Sequence, residues 1–186
     1  MTKNPDRRVQ RTRAALRSAF IELVLTRGYE ALTAADISRK ANVGRSTFYL
    51  HYASKAALLT ESMRNPSIQM AACVDGNLTP QQLVPLLDHF REQRTVNRTF
   101  FTDPIRSLWV KILAALIEPR LAARAGGSRS DLPRSLTALM VAEMQIALIT
   151  HWLTYRSALK AELIAATLIA NTRAMLVANS RPERIK

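Results

Sequence analysis

Apolar residues recur every three or four positions along most of the chain, and no alternating strand pattern is convincing. That periodicity predicts an all-α protein of about nine helices. Leu16, Phe20, Leu23 and Val24 place one apolar face on a first helix, over roughly residues 6 to 27, which Gly28 ends. Thr33 stands as the N-cap of a short second helix, with Asp36 at its N3 position. Ile37 and Ala41, four apart, face inward. Asn42 falls where that helix must end, and asparagine tolerates the left-handed backbone better than most residues. Val43 and Gly44 complete a tight turn before a third helix near Arg45. Two short helices joined this way make a helix-turn-helix.

A fourth helix starts near Lys55, and "RNPS" at 64–67 predicts a break. Thr79-Pro80 and Asp103-Pro104 mark helix starts with proline in the first turn. Pro85 and Pro119 fall within helical patterns and are expected to kink or end them. "AGGSRSD" at 125–131 predicts a flexible loop, with Asp131 capping a long helix to about Tyr155 and a last helix from about Leu159 to Ala178. Both of these helices are apolar almost all round. Leu136, Met140, Met144, Leu148 and Trp152 make one stripe, and Leu139, Ile146, Ile149 and Leu153 occupy another side. A helix apolar on every side needs burial on every side, which points to a second subunit. The pattern divides the chain into a helix-turn-helix domain, 1–62, and a helical domain, 63–186.

Composition narrows the class. With 186 residues and 48% hydrophobic content, the chain can form one substantial core with a small appended domain. The stretch Leu136 to Ile149 is short for a membrane span and holds Glu143 and Gln145, and the start, "MTKNPDRRVQ", has no apolar signal segment. Cys73 is the sole cysteine and reads as a small buried hydrophobe. These features fit a cytoplasmic protein without a membrane partner. The net charge of +13 suggests an anionic partner, most often nucleic acid. It is spread along the chain: 11 Lys and Arg against 5 Asp and Glu in residues 1–62, and 16 against 9 thereafter. The local concentration is at the start, where Lys3, Arg7, Arg8, Arg11, Arg13 and Arg17 face Asp6 alone.

The stretch "VGRSTFYLHYASK", 43–55, carries the candidate chemistry. On a helix, Phe48 and Tyr52 fall on one side, suited to a small core. Ser46 and Leu50 fall opposite, flanked by Tyr49 and Thr47, with His51 toward the core side, Arg45 at the helix start and Lys55 opening the next helix. Cations and hydroxyls suit phosphates, and a few central side chains suit base edges. Leu50 could meet a thymine methyl and Arg45 the O6 and N7 of guanine.

Residues 13–59 closely resemble the N-terminal domain of the TetR family of transcriptional regulators. The resemblance rests on Gly28-Tyr29, Leu32-Thr33, Asp36-Ile37, Ala41, Val43, Thr47-Phe48-Tyr49, His51-Tyr52, Lys55 and Leu58-Leu59 at fixed spacing. It implies phosphate contacts from Thr33, Thr47, Tyr49, His51 and Lys55, and base contacts from Arg45, Ser46 and Leu50. Asn42 and Ala35 depart from the family pattern, and Ala35 implies less base readout from the second helix. The resemblance further implies a double-stranded DNA operator, a homodimer through the last two helices and an effector pocket among the other helices. Trp152, Leu153, Leu168 and Met175 are the candidate dimer residues. Phe90, Phe100, Phe101, Arg106, Trp109, Met140, Met144 and His151 are the candidate pocket wall.

No cofactor or catalytic group is expected: His51, His89 and His151 match no metal spacing, and there is no phosphate-binding glycine loop. The leading reading is a dimeric, ligand-responsive repressor with an apolar or anionic effector. A ligand-independent architectural DNA-binding protein is the alternative, ahead of an all-helical enzyme or carrier.

Overall fold

The computed structural model describes residues 5–94, 99–124, 132–154 and 159–179. Among these, all regular structure is helical. Eight α-helices have defined bounds: α1 Pro5–Arg27, α2 Ala34–Lys40, α3 Arg45–His51, α4 Lys55–Ala71, α5 Pro80–Glu92, α6 Ile105–Arg124, α7 Arg134–Thr154 and α8 Ala161–Ala178. A 3₁₀ turn, Ala72–Asp75, extends α4. The chain divides into two compact units, Met1–Ser62 and Met63–Lys186. Helix α4 runs through the boundary between them.

In the first unit, Leu16, Ala19, Phe20, Leu23 and Val24 bury the inner face of α1. Gly28 ends the helix at φ 76°, with its N–H donated to the Val24 carbonyl at 3.0 Å. This left-handed position is one that a Cβ would strain. Helix α2 opens on a reciprocal cap. The Asp36 N–H donates to Thr33 Oγ at 3.2 Å, and the Thr33 N–H donates to the Asp36 carboxylate at 3.1 Å. These bonds hold the Asp36 carboxyl below its ordinary pKa, led by the Thr33 hydroxyl. Helix α2 ends in a Schellman turn: Val43 N–H donates to the Ser38 carbonyl at 3.0 Å and Asn42 N–H to the Arg39 carbonyl at 3.2 Å. Asn42 occupies the left-handed position at φ 54°.

In the second unit, α6 packs against α7, α5 and α7 pack against α8, and the 3₁₀ turn lies against α6 and α8. Leu83, Leu87, Ile105, Trp109, Leu113, Ile117, Ile146, Ile149 and Leu168 are buried. Each fully buried large side chain contributes about 1.5–3 kcal/mol. Trp109 donates its indole N–H to Ser67 Oγ at 2.9 Å, and Ser67 donates to the Met63 carbonyl at 2.7 Å. Phe90 meets Phe101 and Trp109 edge-on, with centroids 5.5 and 5.9 Å away. Cys73 is buried, and burial raises its thiol pKa to about 12, so it is inert at neutral pH.

Several sequence expectations are corrected. The 64–67 stretch is no break: α4 continues through Pro66 to Ala71. Proline costs the helix one backbone donor, and the buried Ser67 hydroxyl and Met70 side chain tie the next turn into the core. Pro85 and Pro119 end neither α5 nor α6. Pro104 falls just before α6, which begins at Ile105, and Asp103 accepts the Ser107 N–H at 3.2 Å. Asp131, Tyr155 and the rest of the 125–131 loop lie outside the described residues, as does Lys3. Helices α7 and α8 do reach the length and hydropathy of a membrane span, at 1.4 over 18 residues. The two helices are joined inside the second unit, where Gln145 donates its amide N–H to Thr172 Oγ at 3.1 Å, with both side chains fully buried.

Candidate nucleic-acid interface

Helix α3 presents two opposed faces. Inward, Phe48 is fully buried and Tyr52 is 3% exposed, their rings 5.9 Å apart. Outward, Leu50 is 80% exposed and Tyr49 52%, with Arg45 and Ser46 also exposed. Thr47 and His51 are half-buried at the margins. Leu50 is thus the apolar centre of an otherwise polar, partly cationic face. The anchoring at the back is specific. Tyr52 donates its hydroxyl to Glu61 Oε1 at 2.9 Å, and Glu61 pairs with Arg13 at 3.6 Å. Burial, and then the Glu61 hydrogen bond and charge, push the Tyr52 phenol up to about 12. Glu61 thus positions the reading helix. The sequence signal for it was slight, because a carboxylate nine residues beyond a tyrosine follows no local rule.

The margins carry more than one duty. Thr33 is exposed at the start of α2 but already engaged in the cap with Asp36. Lys55, expected to face phosphate, donates to the carbonyls of Tyr29 at 2.9 Å and Glu30 at 3.1 Å, with its ammonium 4.5 Å from the Tyr29 ring centre. It therefore locks α4 to the α1–α2 turn, and one of its three N–H donors remains for a phosphate. Arg7, Arg8 and Arg11 extend the basic surface along exposed α1, whereas Arg13 is spent on Glu61. An exposed apolar centre framed by hydroxyls and cations, on a short helix braced from behind, is the geometry for entering a DNA groove.

Residues 16–61 match the family model described as bacterial regulatory proteins of the tetR family. A regulator from Streptococcus agalactiae 2603V, described as a TetR transcriptional regulator, shares 27% identity and superposes with a TM-score of 0.58, covering 90% of this chain and 96% of that one. The first unit carries a DNA-binding domain of the TetR family. A Bacillus subtilis (strain 168) relative, the uncharacterized HTH-type transcriptional regulator YxbF, is 50% identical over 58 residues, 31% of this chain; the chain spans 15% of that curated relative's length. Thermus thermophilus FadR, a TetR family repressor solved in complex with lauroyl-CoA, has the same fold at 21% identity and a TM-score of 0.54, over 94% of this chain and 98% of that one.

The second unit treats its sequence-predicted residues less evenly. Phe90, Phe100, Phe101 and Trp109 are gathered in one buried aromatic cluster. Met140 and His151 lie on the exposed surface and Met144 is half-buried, so these three do not join it. Arg106 is paired with Glu143 and is not an unneutralised cation. Of the four expected dimer residues, Trp152, Leu153 and Leu168 are buried within the unit's own core, at 6%, 2% and 1% exposure, and Met175 is half-buried. The exposed apolar residues of these helices are instead Leu136, Leu139 and Met140 on α7 and Leu163 and Val177 on α8.

Proposed function

We propose that this chain is a cytoplasmic, dimeric repressor that reads a pseudo-palindromic operator with α3 and leaves it when a small molecule occupies the second unit. The observation that carries the DNA reading is the outward face of α3, with Leu50 exposed between Ser46, Tyr49 and Arg45 while Phe48 and Tyr52 anchor the opposite side. Arg45, Ser46 and Leu50 read bases; Thr33, Thr47, Tyr49, His51 and the spare donor of Lys55 hold phosphates. Two-fold symmetry of the protein implies two-fold symmetry of the site.

The partner subunit covers Leu136, Leu139 and Met140 on α7 and Leu163 and Val177 on α8, which form apolar stripes at helical spacing. Release follows if the effector prefers a conformation in which the two α3 helices no longer match the half-site spacing. Helix α4 is the covalent route, since its first part belongs to the DNA-reading unit and its last part to the other. A hundredfold loss of DNA affinity requires about 2.7 kcal/mol of coupling.

The test is selection of bound duplexes from random sequence, followed by titration of variants on the selected site. Arg45→Ala is expected to cost about 1–3 kcal/mol and to relax preference at one base pair. Tyr49→Phe is expected to weaken all sequences alike, since phosphates carry no sequence information. A uniform loss for Arg45→Ala would remove its base-reading role.

A further inference from the structure

The basic excess of the second unit needs an address, because Arg106 is neutralised by Glu143. Three other arginines converge on the short stretch Val74–Gly76 that follows α4. Arg120 and Arg124 lie one turn apart on α6, and Arg173 comes from α8. Arg124 Nη1 donates to the Val74 carbonyl. Arg173 Nη2 donates to the Gly76 carbonyl at 2.8 Å. Arg120 Nε lies 3.6 Å from the Asp75 carboxylate, near enough for attraction but too long for a hydrogen bond, and its N–H has no acceptor among the described residues. Gly76 is the residue that lets the guanidinium in: a Cβ there would stand 3.1 Å from Arg124 Nη1, and φ is 84°.

Capping alone does not account for the cluster. Each guanidinium carries five N–H donors. The two carbonyls take one from Arg124 and one from Arg173. The end of a helix supplies about half a negative charge, and Asp75 supplies one more, against three cations. Other arginines of the second unit meet a carboxylate singly, as in Arg91–Asp88 and Arg106–Glu143. Three like charges around three consecutive residues repel one another unless an anion joins them.

We propose that Arg120, Arg124 and Arg173 form a binding site for the phosphate group of a small organic phosphate. A phosphate oxygen pair matches the planar fork of a guanidinium, and the dianion matches the uncompensated charge. Asp75 faces the anion as a weak opponent, and its carboxylate sets a limit on affinity. Occupancy draws Arg124 and Arg173 away from the carbonyls that terminate the α4 extension, and this second step rests on the effector-responsive reading above. The helix that carries the change is the one shared by both units.

The experiment titrates the full chain with inorganic phosphate and with phenyl phosphate, by calorimetry and thermal unfolding. Chloride at equal ionic strength serves as the control, and DNA binding is measured alongside. Saturable binding of both phosphates is expected, weakened about tenfold by Arg173→Gln and by Arg120→Gln and strengthened by Asp75→Asn. Circular dichroism checks that each variant folds, and the Asp75 variant keeps the test alive should an arginine variant fail to. No saturable binding, equal binding by the folded Arg→Gln variants, or weaker binding by Asp75→Asn would each overturn the site. If Arg120→Gln and Arg173→Gln lower DNA affinity without any phosphate present, the cluster is a DNA contact and the small-molecule assignment falls. Phosphate binding that leaves DNA affinity unchanged upholds the site and overturns its regulatory step.

Discussion

Helices α3 and α7 break the usual separation of apolar interior and polar surface in opposite senses. In α3, seven residues long, Phe48 is the buried residue and an apolar Leu50 stands out in solvent among polar neighbours. In α7, 21 residues long, Thr137 and Gln145 are buried among apolar neighbours. Each exception has its own meaning. The exposed leucine sits at the centre of a face whose hydroxyls and cations suit a phosphate-bearing partner. A buried amide bonded across to another helix fixes how the two helices pack. In Gln145 only half of the amide is satisfied, since its Oε1 has no hydrogen-bond partner among the described residues. The comparison teaches that function in this chain is read where a side chain disagrees with its surroundings, more than from overall hydrophobicity.

Four experiments would break or sharpen that contrast. The largest effect is expected from a charge placed in the core of the second unit. Trp152→Glu should cost on the order of 5 kcal/mol and yield aggregates, because the site is closed by the protomer itself. Leu163→Glu, on the exposed face of α8, should leave the fold intact and reduce the particle size in light scattering. Equal behaviour of the two variants would erase the distinction between core and partner face.

Next comes the pair Phe48→Ala and Leu50→Ala. The first removes a fully buried ring and should destabilise the first unit by about 3–5 kcal/mol in denaturant titrations. The second should leave the denaturation midpoint in place while DNA affinity falls. A stability loss for Leu50→Ala matching that of Phe48→Ala would mean that α3 has been assigned the wrong outer face.

A smaller effect probes the buried amide. Thr172→Val strands the Gln145 amide N–H and should cost about 1–3 kcal/mol. Adding Gln145→Leu should restore most of that loss, since both polar groups are then gone. If the double variant is no better than the single one, the pair is not a coupled unit.

The smallest effect sits at the start of α2. Thr33→Ala should cost about 1 kcal/mol by removing the N-cap. The same cap gives a pH dependence. Asp36 has a folded-state pKa below its ordinary value of 3.8, chiefly through the Thr33 hydroxyl, then the Thr33 N–H and then Arg39 and Arg27. Its contribution is therefore full above the unfolded pKa and is lost as the pH falls through the lower folded one. The gap between wild type and Thr33→Ala should accordingly narrow under acid, as the bond from the Thr33 hydroxyl to the carboxylate weakens; a gap that stays constant down to strong acid would refute the link.

What the sequence determined by itself lies mostly within single turns of the chain. Gly28, the Thr33–Asp36 cap, the left-handed Asn42 and the inward Phe48 and Tyr52 were all legible, because caps, turns and helical faces involve residues no more than four or five apart. The all-helical class and the two opposed faces of α3 follow from the same local rules. The tertiary structure decided everything that depended on a distant partner. It gave Lys55 a further duty as a brace on Tyr29 and Glu30, it neutralised Arg106 with a carboxylate 37 residues away, and it carried α4 through Pro66. It also turned Trp152, Leu153 and Leu168 inward and left Leu163 and Val177 outside. A helix apolar on every side has no preferred inner face of its own, so the order in which its neighbours pack around it selects which residues are left for a partner.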